Sequence, residues 1–270
     1  MSNIIVMNYL RSIGFKRTDG LPNEFPFTLP AVESIGELEF EPPVTFLVGE
    51  NGSGKSTVME AIAVGMECPA IGRSDANFDD MLLPAKRLAA ELTFTKSRKA
   101  KRRLFFRAED AMGFTLRVKD NLADLKDMER HFDETLTGEG RRRAMGSVRG
   151  QRMALQNRYG ADPDSRSHGE WFLHMFNERV LEDGLYLMDE PETPLSPIHQ
   201  LSLLSILKEK VNQGCQFIIA THSPILIALP DAEIWNFDAH PIEKVSWEDV
   251  EHVAITKAFL NDPESYLRHL

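Results

Sequence analysis

One segment of the chain, residues 44–57, constrains the fold more than any other. Its first part, Val44 to Val48, is largely apolar and predicts a buried β-strand. The following residues, Gly49 to Ser56, fit the pattern G-x-x-x-x-G-K-[ST], and a helix with an apolar face is expected after them. A strand, a glycine-rich loop and a helix in this order turn backbone N–H groups inward and direct the positive end of the helix at an anion. The segment therefore predicts a phosphate-binding site.

The residue types in this loop have separate roles in such a site. The glycines let the backbone curl so that its N–H groups face phosphate oxygens. Lys55 would bring a positive charge to the β- and γ-phosphates, and the hydroxyl of Ser56 would ligate Mg²⁺. The predicted nucleotide-binding set is Gly49, Glu50, Asn51, Gly52, Ser53, Gly54, Lys55, Ser56 and Thr57.

A second segment, residues 185–190, carries acids at the end of an apolar run. Leu185 to Met188 predict a buried strand that leads directly into Asp189 and Glu190. Ligands bind at the carboxyl ends of the strands in open parallel sheets. Asp189 is therefore predicted to hold Mg²⁺ through water, and Glu190 to orient or deprotonate the attacking water. The alternative is a pair of solvated acids at a strand end.

The rest of the second half alternates apolar strands with amphipathic helices, which is typical of an α/β fold with a mostly parallel sheet. Strands are expected at 185–188, 216–220 and 232–237, with closing helices over 248–260 and 263–270. A helix starting at Ser196-Pro197 is expected to bury one face. That face is Ile198, Leu201, Leu204, Leu207 and Val211.

The segment 68–166 has weaker patterns. Strands near 90–95 and 104–109 are expected to form a hairpin with the basic run 96–103 at its tip. A helix is expected over 120–133, and a loop over 138–160. Basic runs of this kind are usually solvated loops, and binding of nucleic acid or of a partner protein is the alternative. The net charge of -10 argues against a protein that coats nucleic acid with its whole surface.

Taken together, residues 49–57, 185–191 and 221–224 resemble the motifs of ABC-type ATPases, and most closely the soluble SMC- and RecF-like branch of AAA family ATPases. The resemblance implies a P-loop NTPase head with a mostly parallel sheet core, an antiparallel β subdomain and a helical signature subdomain. It implies one domain over 1–270, in which 1–67 and 167–270 form the nucleotide-binding core and 68–166 an inserted lobe with basic loops.

The same resemblance implies further site residues. His222 would contact the γ-phosphate, although a histidine that only caps a strand end is the alternative. Residues 193–197 would cross to a partner subunit. Ser167 and Gly169 stand where the family carries its signature sequence, but Leu-Ser-Gly-Gly-Gln is absent. The spacing Ser167-x-x-Glu170 is also that of a capping box, which needs no ligand.

The glutamine of the family's Q-loop has no clear counterpart. Glu109 follows a predicted strand and would lie near the metal and the attacking water in its place. Gln151 and Gln156 are the alternatives.

The resemblance implies binding and hydrolysis of ATP with Mg²⁺ by a head-to-tail homodimer that acts as an ATP-driven switch. It suggests DNA repair, genome maintenance or phage defence, with an effector or nuclease partner and with DNA or RNA at loops 96–103 and 141–152. The alternatives are the nucleotide-binding subunit of an ABC transporter and an ATP-sensing scaffold with little turnover. The two widely spaced cysteines and the lack of a signal peptide or membrane span predict a cytoplasmic protein.

Overall fold

The computed structural model describes residues 8–16, 20–71, 83–159 and 168–268. Within these ranges the strands and helices follow one another in the order given next. The strands are β1 (Leu10–Phe15), β2 (Glu37–Glu39), β3 (Val44–Val48), β4 (Leu92–Lys96), β5 (Arg102–Arg107), β6 (Gly184–Asp189), β7 (Gln216–Ala220), β8 (Glu233–Asn236) and β9 (Glu243–Lys244). The α-helices are α1 (Pro30–Glu33), α2 (Lys55–Gly65), α3 (Leu83–Glu91), α4 (Ala108–Thr135), α5 (Gly138–Tyr159), α6 (His168–Arg179), α7 (Pro197–Asn212), α8 (Glu251–Asn261) and α9 (Pro263–Leu267).

The larger sheet has the strand order β5-β6-β7-β3-β8-β9, and only β9 runs antiparallel to its neighbour. The inner strands β3 and β7 are buried over all their residues, which explains their nearly continuous apolar sequences. In the register, Leu47 of β3 and Asp189 of β6 both pair with Ala220 of β7. The carboxyl ends of these three strands therefore meet at one edge of the sheet, where the glycine-rich loop begins.

The smaller sheet is antiparallel and has the order β2-β1-β4. The buried side chain of Gln216, at the start of β7, joins it to the larger sheet. Its Oε1 accepts hydrogen bonds from the backbone N–H groups of Tyr9 and Leu10, and its Nε2 donates to the Leu10 carbonyl. A parallel core with an antiparallel sheet confirms the predicted α/β fold class.

Alternating residues of the central strands supply two hydrophobic clusters. Leu47 belongs to the cluster that contains the buried apolar residues of α2. Phe46 and Ile219 belong to the other, which contains the buried apolar residues of α6 and α7. Helices thus cover the sheet on both sides, and at about 25 cal/mol per Å² of buried apolar surface they supply the main stabilisation of the core.

Helices α4 and α5 form a long antiparallel hairpin. The expectation of a helix over 120–133 is confirmed, but the expectation of a loop over 138–160 is wrong, because 138–159 form α5. The glycines in this segment weaken helix formation by about 1 kcal/mol each. Contacts with the neighbouring elements outweigh that cost, since Met145 and Val148 are buried and Arg152 pairs with Glu129 at 2.7 Å.

The expected hairpin between β4 and β5 is also wrong. Strand β4 pairs with β1 in the smaller sheet, whereas β5 pairs in parallel with β6 at the edge of the larger one. The basic run therefore contains the connection between two sheets. Parallel pairing buries Phe105 and Phe106, which belong to different hydrophobic clusters.

The predicted buried face of α7 is partly wrong. Its buried residues are Leu203, Leu207 and Lys210, whereas Ile198 is 65% exposed and Leu201 is 51% exposed. Ile198 and Leu201 therefore lie on the solvent side of the helix, whereas Leu203 and Leu207 pack in the core. No helix in the described ranges is both long and apolar enough to cross a bilayer.

Candidate functional site

The glycine-rich loop leaves β3 in a strongly curled conformation. Gly49, Gly52 and Gly54 have φ angles of +146°, +85° and +100°, which L-residues with side chains rarely adopt. A Cβ at Gly49 would also lie 2.9 Å from Ser53 Oγ and 3.0 Å from Asp238 Oδ1. Gly54 caps α2, so the curl delivers the chain directly into the first turn of that helix.

Lys55 lies within the loop and is only 5% exposed. Its Nζ donates to the carbonyls of Gly49 at 2.7 Å and Glu50 at 2.9 Å. Burial lowers the pKa of Lys55, and the nearby acids, Asp238 foremost, act in the opposite direction. The ammonium group of Lys55 therefore stabilises the curled loop by binding two of the loop carbonyls, within the predicted phosphate site.

Ser56 and Asp189 form the predicted metal pair. The hydroxyl of Ser56, in the first turn of α2, donates to Asp189 Oδ1 at 3.3 Å. Burial raises the pKa of Asp189 to about 6, while the bond from Ser56 lowers it and the charge of Glu190 raises it. A bound cation would offset this burial, and hydroxyl and carboxylate oxygens are ligands that suit Mg²⁺. The residues present therefore fit Mg²⁺.

No group of three or more His, Cys, Asp or Glu side chains in the described part of the chain is arranged to hold a metal ion.

Glu190 and His222 face each other at the ends of neighbouring strands. His222 Nε2 lies 4.0 Å from Glu190 Oε1, and the two side chains are 33% and 46% exposed. Glu190 has a φ of +51°, which is uncommon for a residue with a side chain. Its backbone N–H donates to Ala220 of β7 at 2.9 Å, which fixes the turn beside Asp189. The structure thus brings Lys55, Ser56, Asp189, Glu190 and His222 to one edge of the sheet.

Asp238 was not predicted from the sequence, although it follows β8 at the same edge. Its two carboxylate oxygens share one bifurcated hydrogen bond from the backbone N–H of Glu50, at 2.8 and 3.0 Å. His252 of α8 also reaches this region, with its ring 6.4 Å from that of His222. Burial and the neighbouring His222 lower the pKa of His252. An acid directly after a predicted strand was the signal available for Asp238, and no comparable signal marks His252.

Arg107 is a further neighbour of the site that sequence reasoning missed. It ends β5 and pairs in register with Asp189. Its guanidinium lies 2.6 Å from the Glu60 carboxylate of α2 and over the ring of Phe105. The ion pair therefore borders the predicted metal site. The side chain of Glu109 lies outside the described residues, so its assignment as a metal ligand stays a prediction.

Gly169 lies in the first turn of α6 and is buried against α7. A Cβ there would lie 2.5 Å from Nδ1 of His199, whose ring also bonds Ser196 at 3.1 Å. Packing alone thus accounts for a glycine at this position. Ser167, and with it the capping-box alternative, lies outside the described residues. Of the remaining loop residues, Asn51 and Gly52 are exposed and Thr57 is half-buried.

The two basic segments are largely charge-compensated. Around 96–103, three arginines pair with acids, and the arginines of 141–152 pair with acids of α4 or α5. The pairs are Arg98–Asp183, Arg102–Glu182, Arg103–Glu67, Arg141–Asp133, Arg142–Glu139, Arg143–Glu139, Arg149–Glu129 and Arg152–Glu129.

Known proteins resemble this chain in sequence over part of its length and in overall fold. Residues 33–148 match the family model described as AAA domain. CbiO1 from Clostridium perfringens, part of the ABC transporter complex cbiONQ, is 14% identical with a TM-score of 0.44, over 97% of this chain and 100% of that one. The Smc head domain from Pyrococcus furiosus, bound to the C-terminal domain of ScpA, is 12% identical with a TM-score of 0.43, over 93% and 99%.

The SMC head domain from Thermotoga maritima is 16% identical with a TM-score of 0.38, over 88% of this chain and 100% of that one. The sequence matches no curated protein at a significant level. The AAA domain match over residues 33–148 and the topology of the sheet support the P-loop ATPase fold that the motifs indicated.

Proposed function

We propose that this chain, a P-loop ATPase of the ABC and SMC type, binds ATP with Mg²⁺ and hydrolyses it as an ATP-driven switch. One observation carries the proposal: Lys55, Ser56, Asp189, Glu190 and His222 converge where the glycine-rich loop meets the carboxyl ends of three parallel strands. This is the edge at which open α/β sheets bind their ligands.

The residues divide the work of phosphoryl transfer between them. The loop N–H groups and Lys55 bind the phosphates. Ser56 and Asp189 would hold Mg²⁺, which would neutralise charge on the phosphate oxygens. Glu190 accepts a proton from the attacking water or orients it, and His222 donates to the γ-phosphate. Catalysis then comes from positioning and charge neutralisation, since the protein forms no covalent bond to the phosphoryl group.

The proposal includes a head-to-tail homodimer in which Ser167 and Gly169 of a second copy complete the site. Two features support an incomplete site in one chain. Glu190 and His222 are partly open to solvent. The segment 193–197 leads into the exposed apolar side chains of Ile198 and Leu201, which a second subunit can cover.

The cellular role is part of the proposal and rests on the resemblance of the motifs to SMC- and RecF-like ATPases. We place the switch in the cytoplasm, in DNA repair, genome maintenance or phage defence, with an effector or nuclease partner. Nucleic acid would bind near the loop around Lys99 and Lys101, since the arginines of both basic segments already have acidic partners.

The test is Glu190→Gln, with Glu264→Gln on the exposed end of the chain as its control. Loss of a general base lowers kcat for ATP by about 100-fold or more, while ATP binding persists and the variant accumulates as an ATP-dependent dimer in light scattering. A Glu190→Gln protein that hydrolyses ATP at the wild-type rate would overturn the role of Glu190.

Two outcomes would favour the alternative functions. A wild-type protein that binds ATP without turnover would favour the ATP-sensing scaffold. Co-purification with an integral membrane protein would favour the transporter subunit.

A further inference from the structure

A single carboxylate joins the loop after β6 to the loop after β7. Glu192 Oε1 accepts a hydrogen bond from the backbone N–H of His222 at 2.7 Å. The other oxygen, Oε2, is buried and has no hydrogen-bond partner in the described structure. Glu192 is therefore held in place by one strong bond, and that bond ends on the residue that faces Glu190.

Two further contacts tie the same loops together. The N–H of Glu190 donates to Ala220 at the end of β7. On the other side of His222, Ser223 Oγ donates to Gln200 Oε1, and Gln200 Nε2 donates to the Leu195 carbonyl at 3.1 Å. The bond from Glu192 lies between these two contacts and is the one that holds His222 itself.

We propose that Glu192 is a positioning residue that fixes the imidazole of His222 against Glu190 by holding the backbone N–H of residue 222. This inference rests on the proposed function, because it assumes that Glu190 and His222 act on ATP. Without the carboxylate, a partly buried N–H would lose its partner, and the loop would turn to find another. The 4.0 Å approach of Nε2 to Glu190 Oε1 depends on where that loop stands.

The position of Glu192 in the chain also connects His222 to the segment that follows Glu192. Glu192 precedes the segment 193–197, for which the dimer proposal predicts contact with a second subunit. A displacement of that segment moves Glu192, and through it the backbone of His222. The loops over 190–195 and 221–223 therefore behave as one unit, and contact with a partner reaches the catalytic pair through this hydrogen bond.

The first experiment compares Glu192→Ala with Glu192→Gln, and uses the exposed Glu248→Ala as the matched control. We expect Glu192→Ala to lower kcat on the order of 10- to 100-fold, because a small misplacement of reacting groups has effects of that size. ATP affinity and thermal unfolding should stay close to wild type. Glu192→Gln keeps an acceptor oxygen and should retain most of the activity. Equal losses in Glu192→Gln and Glu192→Ala would overturn the proposal.

A double-mutant cycle separates positioning of the imidazole from a structural role. His222→Ala removes the ring but keeps the backbone N–H that Glu192 binds. If Glu192 acts through the imidazole, adding Glu192→Ala to His222→Ala lowers kcat no further. If the same fold loss appears in both backgrounds, the proposal is wrong.

A second readout needs no turnover. In protein with ¹³C-labelled histidine, the ring signal of His222 is identified by its absence from His222→Ala. Glu190→Gln should shift this signal in the wild-type background and leave it unshifted when Glu192 is alanine. An equal shift in both backgrounds overturns the proposal even if the wild-type protein proves inactive. Absence of wild-type turnover alone would count against the proposed function.

Discussion

The carboxylate of Asp238 accepts a bifurcated hydrogen bond from the backbone N–H of Glu50, which fixes the end of β8 to the first turn of the glycine-rich loop. The two residues are far apart in sequence, yet the parallel pairing of β3 with β8 brings them together. Asp238 is also the strongest of the acids acting on Lys55. The loop conformation therefore depends on an acid that belongs to neither nucleotide-binding motif.

This hydrogen bond predicts that alanine and asparagine at position 238 have different effects on ATP affinity. Asp238→Ala releases the loop and should weaken ATP binding by about 10-fold, since a hydrogen bond to a charged group contributes about 1.5–3 kcal/mol. Asp238→Asn keeps an acceptor and should bind nearly as well as wild type. Isothermal titration with ATP measures the difference, and the exposed Asp124→Ala is the control. Unchanged affinity in Asp238→Ala would show that this hydrogen bond is dispensable.

Two glycine-to-alanine substitutions, one in the loop and one in α5, test the conformation of the loop. Gly49→Ala places a Cβ close to Ser53 and Asp238 at a φ of +146°, and should destabilise the protein by about 1–3 kcal/mol. Gly146→Ala lies in α5 with open space around it, and should stabilise by about 0.5–1 kcal/mol. Urea unfolding gives both values. Gly49→Ala with wild-type stability would contradict the loop geometry.

The raised pKa of Asp189 predicts how stability depends on pH. The folded protein binds a proton on Asp189 more tightly than the unfolded chain does. The protonated carboxyl therefore stabilises the fold at low pH, and this stabilisation is lost as pH rises from the ordinary pKa of 3.8 through about 6. Asp189→Asn removes the buried charge and should raise the unfolding free energy at pH 7.5 by on the order of 1–3 kcal/mol. The gain should largely vanish near pH 4.

Mg²⁺ with nucleotide should stabilise the wild-type protein at pH 7.5 and have little effect on Asp189→Asn. Chemical denaturation at both pH values, with and without the ligands, measures these differences. Equal stabilisation of the two proteins by Mg²⁺ would argue against Asp189 as a metal ligand.

Gly169 has two explanations that a rescue experiment separates. Gly169→Ala should lower stability, because its Cβ would press on the ring of His199. Adding His199→Ala removes that ring and should restore the stability seen for His199→Ala alone. If ATP turnover also returns, packing is the whole reason for the glycine. If turnover stays low in a stable double variant, the glycine has a role in the site of a second subunit.

The exposed apolar start of α7 predicts a dimer contact. Replacing both Ile198 and Leu201 with serine should leave the monomer stable, because neither side chain is buried. The ATP-dependent dimer of the Glu190→Gln protein should weaken by 10-fold or more, which corresponds to about 1.4 kcal/mol. Leu260→Ser, which is exposed on α8, is the matched control. Sedimentation velocity with ATP measures the dimer, and an unaltered dimer would exclude this surface.

The sequence indicated the strand, loop and helix around Lys55 and the strand that ends at Asp189, because each of these elements is locally encoded. The strand before Gly49 is buried on both faces and therefore reads as a continuous apolar run. The loop needs glycine at positions of positive φ, and Asp189 ends a strand whose apolar residues leave few other interpretations. Each of these patterns lies within a short segment, so it can be recognised without knowing which strands pair with it.

The features that were missed depend on partners distant in sequence. Strand β5 looks like the return strand of a hairpin until β6, far along the chain, is available to pair with it. Helix α5 is rich in glycine and arginine, and packing on the neighbouring helices outweighs its poor helix propensity. The apolar spacing of α7 could not distinguish Leu203, which is buried, from Leu201, which is exposed.

The bonds from Lys55 to the carbonyls of Gly49 and Glu50 have a consequence for nucleotide exchange. An ammonium group has three N–H donors, and the loop supplies an acceptor for each of them, since Nζ also donates to Ser53 Oγ at 3.3 Å. If a nucleotide leaves this site, the buried ammonium group of Lys55 therefore keeps its hydrogen-bond acceptors in the loop. If ATP binds at this loop as proposed, we expect binding to require a shift of the Lys55 side chain and no refolding of the loop backbone.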